Sequence, residues 1–365
     1  MTPRALSLKQ YANKKKAGKK TLNIFLAGVG AVGGTLLNQI AAINHHGTSL
    51  HLLGICNKEK VKWRANSESI SELSDKLYRG ESKNWDSIMQ TLAMHSDQNL
   101  VFVDATGSQE VAGLYERILK SGIHIVTPSK LAITKSQLCF DTLLDAAGIN
   151  GVQYQFETTV GAGLPVIEPI RNLIESGDEI VEISGVLSGT MTYLFHELEK
   201  GALFSEAVLR ARALGYAEPD PRDDLSGEDV ARKFLILART CGQKMERNQI
   251  LVESLIPDFL QDADPTTFLK DLNQADACWK ERLDTCQKTN HTLRYTGTYS
   301  GDSVRIGIQE VDKNSPIGQL TGTNNLIRIK TRRYFDQPLI IQGPGAGKEV
   351  TAAGVLNDIL KVQNS

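Results

Sequence analysis

Short apolar runs alternate with amphipathic stretches over roughly the first 150 residues. Apolar runs that are bounded by turn residues are typical of strands buried in a parallel sheet. Helical periodicity follows the first run, where Val32, Leu36 and Ile40 fall on one face. The predicted strands are LNIFLA (22–27), LHLLGIC (50–56), LVFVDAT (100–106) and HIVT (124–127). Strands that alternate with helices predict βαβ units and a doubly wound parallel sheet, whereas the stretch 58–98 is polar and favours helix.

The pattern changes past residue 151. A helix is expected to begin near Pro165, residues 179–189 alternate like a half-exposed strand, and the chain from Met191 to about Cys286 is mainly helical. Two strands around a Ser-Gly-Asp turn are then predicted, followed by two more and a final apolar-faced helix. These segments are 291–311, LIRIKTRRYF (326–335), PLIIQG (338–343) and Val350–Val362.

Together the two patterns predict an α/β fold of two domains. A Rossmann-type domain with the doubly wound parallel sheet is expected over residues 21–151 and is completed by residues 346–365. An α+β substrate-binding and dimerisation domain with a mixed sheet is expected over 152–345, with its helical catalytic part at about 181–289. Residues 1–20 carry seven Lys or Arg and no acid, so they are interpreted as a solvated, partly disordered basic arm or linker, with a transit peptide or a polyanion-binding arm as the alternatives.

Composition narrows the classes of function. The net charge is −1, which gives no general attraction to nucleic acid or to an anionic membrane. No apolar run approaches the roughly 20 residues that a bilayer-spanning helix needs. Five cysteines without paired spacing favour a reducing cytoplasm over a disulfide framework or a zinc site. We therefore expect a cytoplasmic protein that acts on a small molecule, without nucleic-acid or membrane partners.

Glycines 28, 30 and 33 form a GxGxxG motif between the first predicted strand and the first helix. In this context the first glycine makes a tight turn and the second lets the backbone approach a pyrophosphate. The third lets the helix pack closely on the strand, with the phosphate at the helix N-terminus. The motif predicts a dinucleotide site that includes Gly28, Gly30, Ala31, Val32 and Gly33.

The residues that follow the second predicted strand bear on the choice of cofactor. Dinucleotide folds that prefer NAD usually place an acid there, which accepts from the ribose 2′-hydroxyl. This chain has Asn57 and Lys58 instead, and Lys58 could attract a 2′-phosphate. The sequence therefore favours NADP, with NAD as the second candidate. A solvated loop lysine is the alternative interpretation of Lys58.

An acid-rich segment, Gly215 to Lys233, is the densest in charged residues. Prolines 219 and 221 exclude a regular helix there, and helical character resumes at Leu225 with Ser226 as the expected N-cap. Asp229 and Lys233 are four residues apart on one helical face, which by itself indicates only an exposed ion pair. Four more carboxylates precede that helix and would repel one another unless they hold cations, including a substrate ammonium: Glu218, Asp220, Asp223 and Asp224.

This segment resembles the signature of homoserine dehydrogenases almost throughout. The likeness extends from Ile24 to Leu360 and is nearest to the dehydrogenase part of bifunctional aspartokinase–homoserine dehydrogenases. Five further motifs carry it, namely GVGAVGGTLLNQI, VTPSK, ETTVGAGLPVIE, LSGTMTYLF and GPGAGKEVTAAGV. The resemblance implies an NAD(P)-dependent interconversion of L-aspartate 4-semialdehyde and L-homoserine, in the pathway to threonine, methionine and isoleucine. It also implies a homodimer or a higher homo-oligomer.

Roles for single residues follow from the same resemblance. It implies that Lys233 is the acid–base residue and that Lys130 contacts both substrate and cofactor. The substrate-binding residues would be Glu218, Asp229, Asp224, Tyr216, Gly189 and Thr190. Thr106 and Gly347 would contact the cofactor. A monovalent cation such as Na⁺ would bind mainly through backbone carbonyls around Glu157, Val160, Ala162 and Leu164.

Two other functions remain open at this level. One is an oxidoreductase of the same architecture that acts on another amino-alcohol or semialdehyde. The other is a non-catalytic NADP-binding sensor, against which the presence of Lys130, Glu218, Asp229 and Lys233 argues, because a sensor need not retain a proton donor.

Overall fold

The computed structural model describes residues 21–44, 50–65, 67–96 and 99–364, so the predicted basic arm lies outside the described residues. The described chain divides into two units. The first contains the residues up to 132, residues 141–156 and the residues from 351. The second contains residues 133–140 and 157–350.

A seven-stranded sheet forms the centre of the first unit. Its strands are β1 (Leu22–Ala27), β2 (Leu50–Cys56), β3 (Lys60–Trp63), β4 (Glu81–Ser82), β5 (Leu100–Asp104), β6 (His124–Val126) and β7 (Tyr154–Gln155). They lie in the order β4-β3-β2-β1-β5-β6-β7. The five neighbouring strands β2, β1, β5, β6 and β7 pair in parallel. At one edge, β3 pairs antiparallel with β2, and β4 pairs antiparallel with β3. The predicted doubly wound parallel sheet is confirmed.

Helices cover this sheet and complete its core. They are α1 (Ala31–Asn44), α2 (Ile70–Asp75), α3 (Trp85–Ala93), α4 (Gln109–Ala112), α5 (Tyr115–Lys120), α6 (Gln137–Ile149) and the C-terminal helix (Lys348–Asn364), with a 3₁₀ turn at Leu77–Arg79. From the C-terminal helix, Ala352, Val355 and Ile359 are fully buried in the same apolar cluster as β1, β2 and α1. The C-terminal helix therefore belongs to the core of the first unit.

Two expectations for this unit were wrong in detail. The stretch 58–98 contains β3 and β4 as well as helices. The fifth strand ends at Asp104 rather than at 106, because the backbone N–H of Thr106 turns back to donate to the Asp104 carboxylate at 2.7 Å.

The second unit contains a mixed sheet of six strands, as expected. They are β8 (Ile180–Val186), β9 (Leu251–Val252), β10 (His291–Ser300), β11 (Ser303–Asp312), β12 (Asn324–Thr331) and β13 (Leu339–Pro344). The order is β13-β12-β8-β10-β11-β9, antiparallel except for the β11–β9 pair. The predicted turn between β10 and β11 is confirmed, with Gly301 at a φ of 63°. The strand expected to reach 335 ends at Thr331, whose hydroxyl accepts from the Tyr334 backbone N–H and closes a turn.

Seven α-helices of the described chain accompany this sheet. They are α7 (Ile167–Glu175), α8 (Gly189–Glu199), α9 (Phe204–Ala213), α10 (Arg222–Leu225), α11 (Glu228–Thr240), α12 (Pro265–Asp271) and α13 (Asp276–Gln287). Single 3₁₀ turns occur at Glu157–Thr159, Arg247–Gln249, Asp258–Leu260 and Leu272–Ala275. Among the residues with described positions, no helix is long and apolar enough to cross a membrane.

The start of α11 differs from the prediction. Gly227, not Ser226, is the N-cap, at a φ of 73°. A β-carbon at Gly227 would lie 2.0 Å from the hydroxyl of Tyr295, so both the left-handed backbone and the close approach require glycine. The residue that fixes this cap is therefore distant in sequence.

Candidate active site

The three motif glycines form the turn between β1 and α1, and two of them are required by packing. A β-carbon at Gly28, which has a φ of 94°, would lie 2.7 Å from the carbonyl oxygen of Ala105. A β-carbon at Gly33 would lie 1.9 Å from the carbonyl oxygen of Gly28. Gly30 differs, because a β-carbon there would meet no atom within 4 Å. The second glycine therefore keeps space open beside the turn.

That open space lies at the N-terminus of α1, which begins with Ala31 and Val32. The first turn of this helix contains no acidic residue. Backbone N–H groups at a helix N-terminus attract phosphate, and no carboxylate of the first turn competes for them. The residues present at this turn therefore fit the pyrophosphate of a dinucleotide.

At the carboxyl end of β2, the Asn57 side chain makes a tight turn. Its Oδ1 accepts from the backbone N–H groups of Glu59 and Lys60, at 2.8 and 2.7 Å. The Lys58 side chain is 87% exposed and lies 3.5 Å from Glu59. Lys83, whose backbone N–H donates to the carbonyl oxygen of Glu59, has a mostly buried side chain, and its Nζ donates to Glu110 at 2.9 Å. Lys58 is thus a solvated, ion-paired lysine next to the strand end.

A buried polar network that the sequence analysis missed lies at the carboxyl ends of β5 and β6. Asp104 is fully buried, and its carboxylate accepts from the backbone N–H and hydroxyl of Thr106 and from the hydroxyl of Tyr115. Burial raises the pKa of Asp104, and these hydrogen bonds oppose the increase. One signal was present in the sequence: Asp104 is the single acid in the apolar run LVFVD.

Lys130 lies half-buried in the segment after β6, four residues past its last residue. It belongs to the first unit and Lys233 belongs to the second. The expectation that these two lysines face each other stays a prediction. Gly347, at a φ of 126°, lies in the second unit just before the C-terminal helix.

The acid-rich segment and its neighbours line a pocket of about 830 Å³ in the second unit. Seven of the predicted site residues line this pocket: Gly189, Thr190, Tyr216, Glu218, Asp224, Asp229 and Lys233. Other wall residues were not predicted, and they include Ser188, Leu209, Arg212, Pro219, Gly345 and Ala346. The pocket therefore combines segments that are far apart in sequence.

Lys233 is held at this pocket by two acceptors. Its Nζ donates to the carbonyl oxygen of Leu187, at the end of β8, and pairs with Asp229, both at 2.7 Å. The lysine side chain is only 11% exposed, whereas Asp229 is 50% exposed. An ammonium group has three N–H donors, so two fixed acceptors leave one for a molecule in the pocket.

Asp224 organises the wall rather than facing the pocket with a free carboxylate. One oxygen accepts from the hydroxyl of Thr190 at 2.9 Å, and the other accepts from the backbone N–H of Glu218 at 2.8 Å. The Thr190 hydroxyl also lies 2.6 Å from the carbonyl oxygen of Tyr216. Burial raises the pKa of Asp224. This carboxylate connects α8 with the segment that carries Glu218.

The Glu218 side chain is exposed to the pocket, and within the described chain its carboxylate has no hydrogen-bond or ion-pair partner. Tyr216 is half-exposed and its ring makes an edge contact with Tyr193, with centroids 5.1 Å apart. Arg212 also lines the pocket, and its Nε donates to the carbonyl oxygen of Pro219 at 2.8 Å. The pocket therefore holds an anionic group and a fixed ammonium in its walls, which suits a ligand that carries both an amine and a reactive oxygen.

The predicted cation loop has an unusual backbone. Ala162 adopts a φ of 53°, which is rare for a residue with a β-carbon. The Glu157 carboxylate is buried and accepts from three backbone N–H groups at the start of α7, those of residues 166–168. α7 begins at Ile167, close to the start expected near Pro165, and the Glu157 carboxylate caps it. Among the described residues, no three His, Cys, Asp or Glu side chains form a cluster that could hold a metal.

Family models match most of the chain. The model described as homoserine dehydrogenase matches residues 165–360, and the model described as homoserine dehydrogenase, NAD binding domain, matches residues 28–157. The N-terminal match contains the glycine turn, and the C-terminal match contains the whole pocket segment.

Individual relatives agree with these matches. A bifunctional aspartokinase/homoserine dehydrogenase of Haemophilus influenzae is 38% identical over 94% of this chain, which covers 43% of that protein. A homoserine dehydrogenase of Saccharomyces cerevisiae is 36% identical over 94% of this chain, and the match covers 98% of the yeast protein. A solved hyperthermophilic archaeal homoserine dehydrogenase in complex with NADPH is 25% identical, with a TM-score of 0.73. The structural match covers 94% of this chain and 97% of the archaeal chain. The chain thus spans less than half the length of the curated relatives that it matches first.

Proposed function

Because the chain belongs to the homoserine dehydrogenase family, we propose that it interconverts L-homoserine and L-aspartate 4-semialdehyde with a nicotinamide dinucleotide. The observation that carries this proposal is the pocket in which the Lys233 ammonium, fixed by Leu187 and Asp229, shares a wall with the Glu218 carboxylate. The substrate needs both groups, since it carries an ammonium at one end and an aldehyde or hydroxyl at the other.

Lys233 is the proton donor in reduction and the proton acceptor in oxidation. A nicotinamide cofactor, when bound, would supply a hydride to the aldehyde carbon or accept one from the alcohol carbon. As the hydride arrives, the carbonyl oxygen gains negative charge and takes a proton from Nζ, so the products are the alcohol and the oxidised cofactor. Because Leu187 and Asp229 fix the direction of Nζ, little reorganisation is needed when the charge develops.

Glu218 binds the substrate ammonium. Its carboxylate faces the pocket, and its backbone is held by Asp224, which also holds Thr190. Asp229 contributes through its ion pair with Lys233 as well as through its own charge. Gly189, Thr190 and Tyr216 complete the wall around the substrate.

The dinucleotide binds at the glycine turn of the first unit. The open space beside Gly30 and the N-terminus of α1 support binding of the pyrophosphate there. Thr106, Lys130 and Gly347 are proposed as further cofactor contacts, and Lys130 also as a substrate contact. NADP is the proposed preferred form, because the residues directly after β2 are Asn57 and Lys58 rather than an acid.

A monovalent cation is proposed at the carbonyl groups of Glu157, Val160, Ala162 and Leu164. The Glu157 carboxylate caps α7, so this residue would contribute its backbone oxygen. The strained backbone of Ala162 supports a special role for the loop, since such conformations concentrate at functional sites. Replacing Na⁺ by choline at constant ionic strength should lower activity, and an unchanged rate would contradict a cation requirement.

A homodimer is proposed through the edge of the second sheet. β13 is an edge strand, and Tyr334, Phe335 and Ile340 near it are each at least 41% exposed. Unpaired edges and exposed apolar side chains favour association. Ile340→Glu should shift the protein from dimer to monomer in sedimentation experiments. Leu251→Glu, at the opposite edge, is the control and should leave the dimer intact; a parent that is monomeric at micromolar concentration contradicts the proposal.

The cytoplasm is the proposed compartment, and all five cysteines are free thiols. The activity itself is tested by following absorbance at 340 nm with L-homoserine and NADP or NAD. Cofactor reduction that depends on homoserine supports the proposal. Turnover only with another amino-alcohol would indicate a related oxidoreductase, and cofactor binding without any turnover would indicate a sensor.

A further inference from the structure

The buried Asp104 network occupies a position that packing alone does not explain. A carboxylate with no exposed surface is costly unless it is well hydrogen-bonded. Asp104 meets this requirement with three donors, at distances of 2.6 to 2.7 Å. Two of these donors belong to Thr106 and the third is the Tyr115 hydroxyl, so the carboxylate holds the chain that directly follows β5.

A second arm of the network reaches the chain that follows β6. The Thr127 hydroxyl donates to the backbone oxygen of Asp104 at 3.0 Å, and it accepts from the backbone N–H of Ser129 at 2.9 Å. The Tyr115 hydroxyl lies 3.0 Å from the same Thr127 oxygen. Asp104, Tyr115 and Thr127 therefore fix the segments that contain Thr106 and Lys130 relative to each other.

The same segment forms one side of the glycine turn. A β-carbon at Gly28 would lie 2.7 Å from the Ala105 oxygen and 3.0 Å from Cγ2 of Thr106. Because this contact is so close, a shift of residues 105–106 would displace the turn beside which Gly30 keeps its open space. Ligands of open parallel sheets bind at the carboxyl ends of the strands where the strand order reverses, which here is between β1 and β5.

From these contacts we infer that Asp104 is a positioning residue of the dinucleotide site, acting through Thr106 directly and through Tyr115 and Thr127 on the segment of Lys130. The inference rests on the proposed function and adds to it, since it assigns a role in cofactor binding to a residue whose side chain is fully buried. A buried carboxylate suits this role, because charge-assisted hydrogen bonds are shorter and stronger than neutral ones.

The test compares two matched pairs of variants. Tyr115→Phe removes the hydroxyl that connects the two segments and keeps the buried ring. Its control is Tyr295→Phe in the second unit, where an equally buried tyrosine donates one hydrogen bond to the backbone oxygen of Glu253 at 2.7 Å. Asp104→Asn is paired with Asp178→Asn, because Asp178 is also buried and accepts from a threonine hydroxyl and two backbone N–H groups.

NADPH binding is measured directly by fluorescence titration, together with Tm and the KM values of both substrates. All four variants should lower Tm. Only Tyr115→Phe and Asp104→Asn should weaken NADPH binding, by about threefold to tenfold, and they should raise the KM for the cofactor by more than the KM for homoserine. A purely structural role would lower Tm without this selective change.

Two results would overturn the inference. One is NADPH affinity within twofold of the parent in both Asp104→Asn and Tyr115→Phe despite a lower Tm. The other is an equal loss of affinity in the controls. If the parent itself binds neither NADPH nor NADH, the proposed function is wrong and the role of Asp104 with it, so the two failures are distinguishable.

Discussion

The glycine turn of the first unit is formed by backbone, whereas the charged pocket of the second unit is formed mainly by side chains. Three glycines within six residues form the turn. Because they have no β-carbon, Gly28 and Gly33 allow close backbone approach and Gly30 leaves space beside the turn. The pocket is built from side chains that converge from distant segments, as in the hydrogen bond of Lys233 to Leu187, 46 residues away. A backbone site therefore has a short local signature, whereas a side-chain site depends on the whole fold.

The difference predicts that substitutions separate chemistry from cofactor binding. Lys233→Ala should lower kcat by about 10²- to 10⁴-fold, the usual contribution of general acid–base catalysis. NADPH affinity should remain unchanged, because the glycine turn does not use this side chain. Stopped assays of kcat and fluorescence titration of NADPH measure the two effects.

The matched control for this variant is Arg232→Ala on the same helix. Arg232 also makes an ion pair with an acid four residues earlier, Glu228, but it is more exposed, at 44%. It should retain nearly full turnover. More than half of the parent kcat in Lys233→Ala would remove the lysine from the mechanism.

At the glycine turn, the expected effect is reversed: cofactor binding changes and the pocket does not. Gly30→Ala introduces a methyl group where nothing lies within 4 Å, so Tm should stay the same. NADPH binding should weaken roughly tenfold to a hundredfold, as expected when a well-fitted contact is overpacked. Gly28→Ala is the contrasting variant and should lower Tm, because its β-carbon would meet the Ala105 oxygen. Equal loss of Tm in both variants would contradict separate roles for the two glycines.

The sequence placed the elements whose signals are local. β1, β2 and the hairpin of β10 and β11 have long apolar or alternating runs and clear turns, and they appear where expected. It missed β3, which is four residues long and alternates lysine with apolar residues. This strand pairs antiparallel with β2 across a short turn that Asn57 closes, and the turn lacks the glycine that usually marks a hairpin.

The site shows the same limit at single residues. The cluster of carboxylates predicted cation binding, but it did not distinguish Asp224, which turns inward to Thr190, from Glu218, which faces the pocket. The distinction depends on α8, which contacts this segment only after folding. Gly227 likewise takes the cap expected of Ser226 because of Tyr295, a residue of a distant strand.

Glu218→Gln tests whether the outward acid binds substrate. The amide keeps the shape but loses the charge that attracts an ammonium, so the KM for homoserine should rise by about tenfold, within the range of a charge-assisted hydrogen bond. The fall in kcat should be smaller, because the contact contributes to ground and transition states alike. Glu206→Gln, an exposed acid on α9, is the control. A collapse of kcat at constant KM would make Glu218 a participant in the chemistry.

The smallest expected effect concerns cofactor choice at Lys58, where a side chain rather than backbone would act at the dinucleotide site. Lys58→Glu places an acid directly after Asn57 and should repel a 2′-phosphate, lowering the ratio of kcat/KM for NADP over NAD. Since the lysine is 87% exposed and already paired with Glu59, its charge is well screened. Exposed pairs contribute up to about 1 kcal/mol, so the ratio should change by at most about fivefold. Lys120→Glu, a similarly exposed and paired lysine of the first unit, should leave the ratio unchanged. An unchanged ratio in both variants would mean that Lys58 is only a solvated loop residue and that discrimination between the two cofactors lies elsewhere.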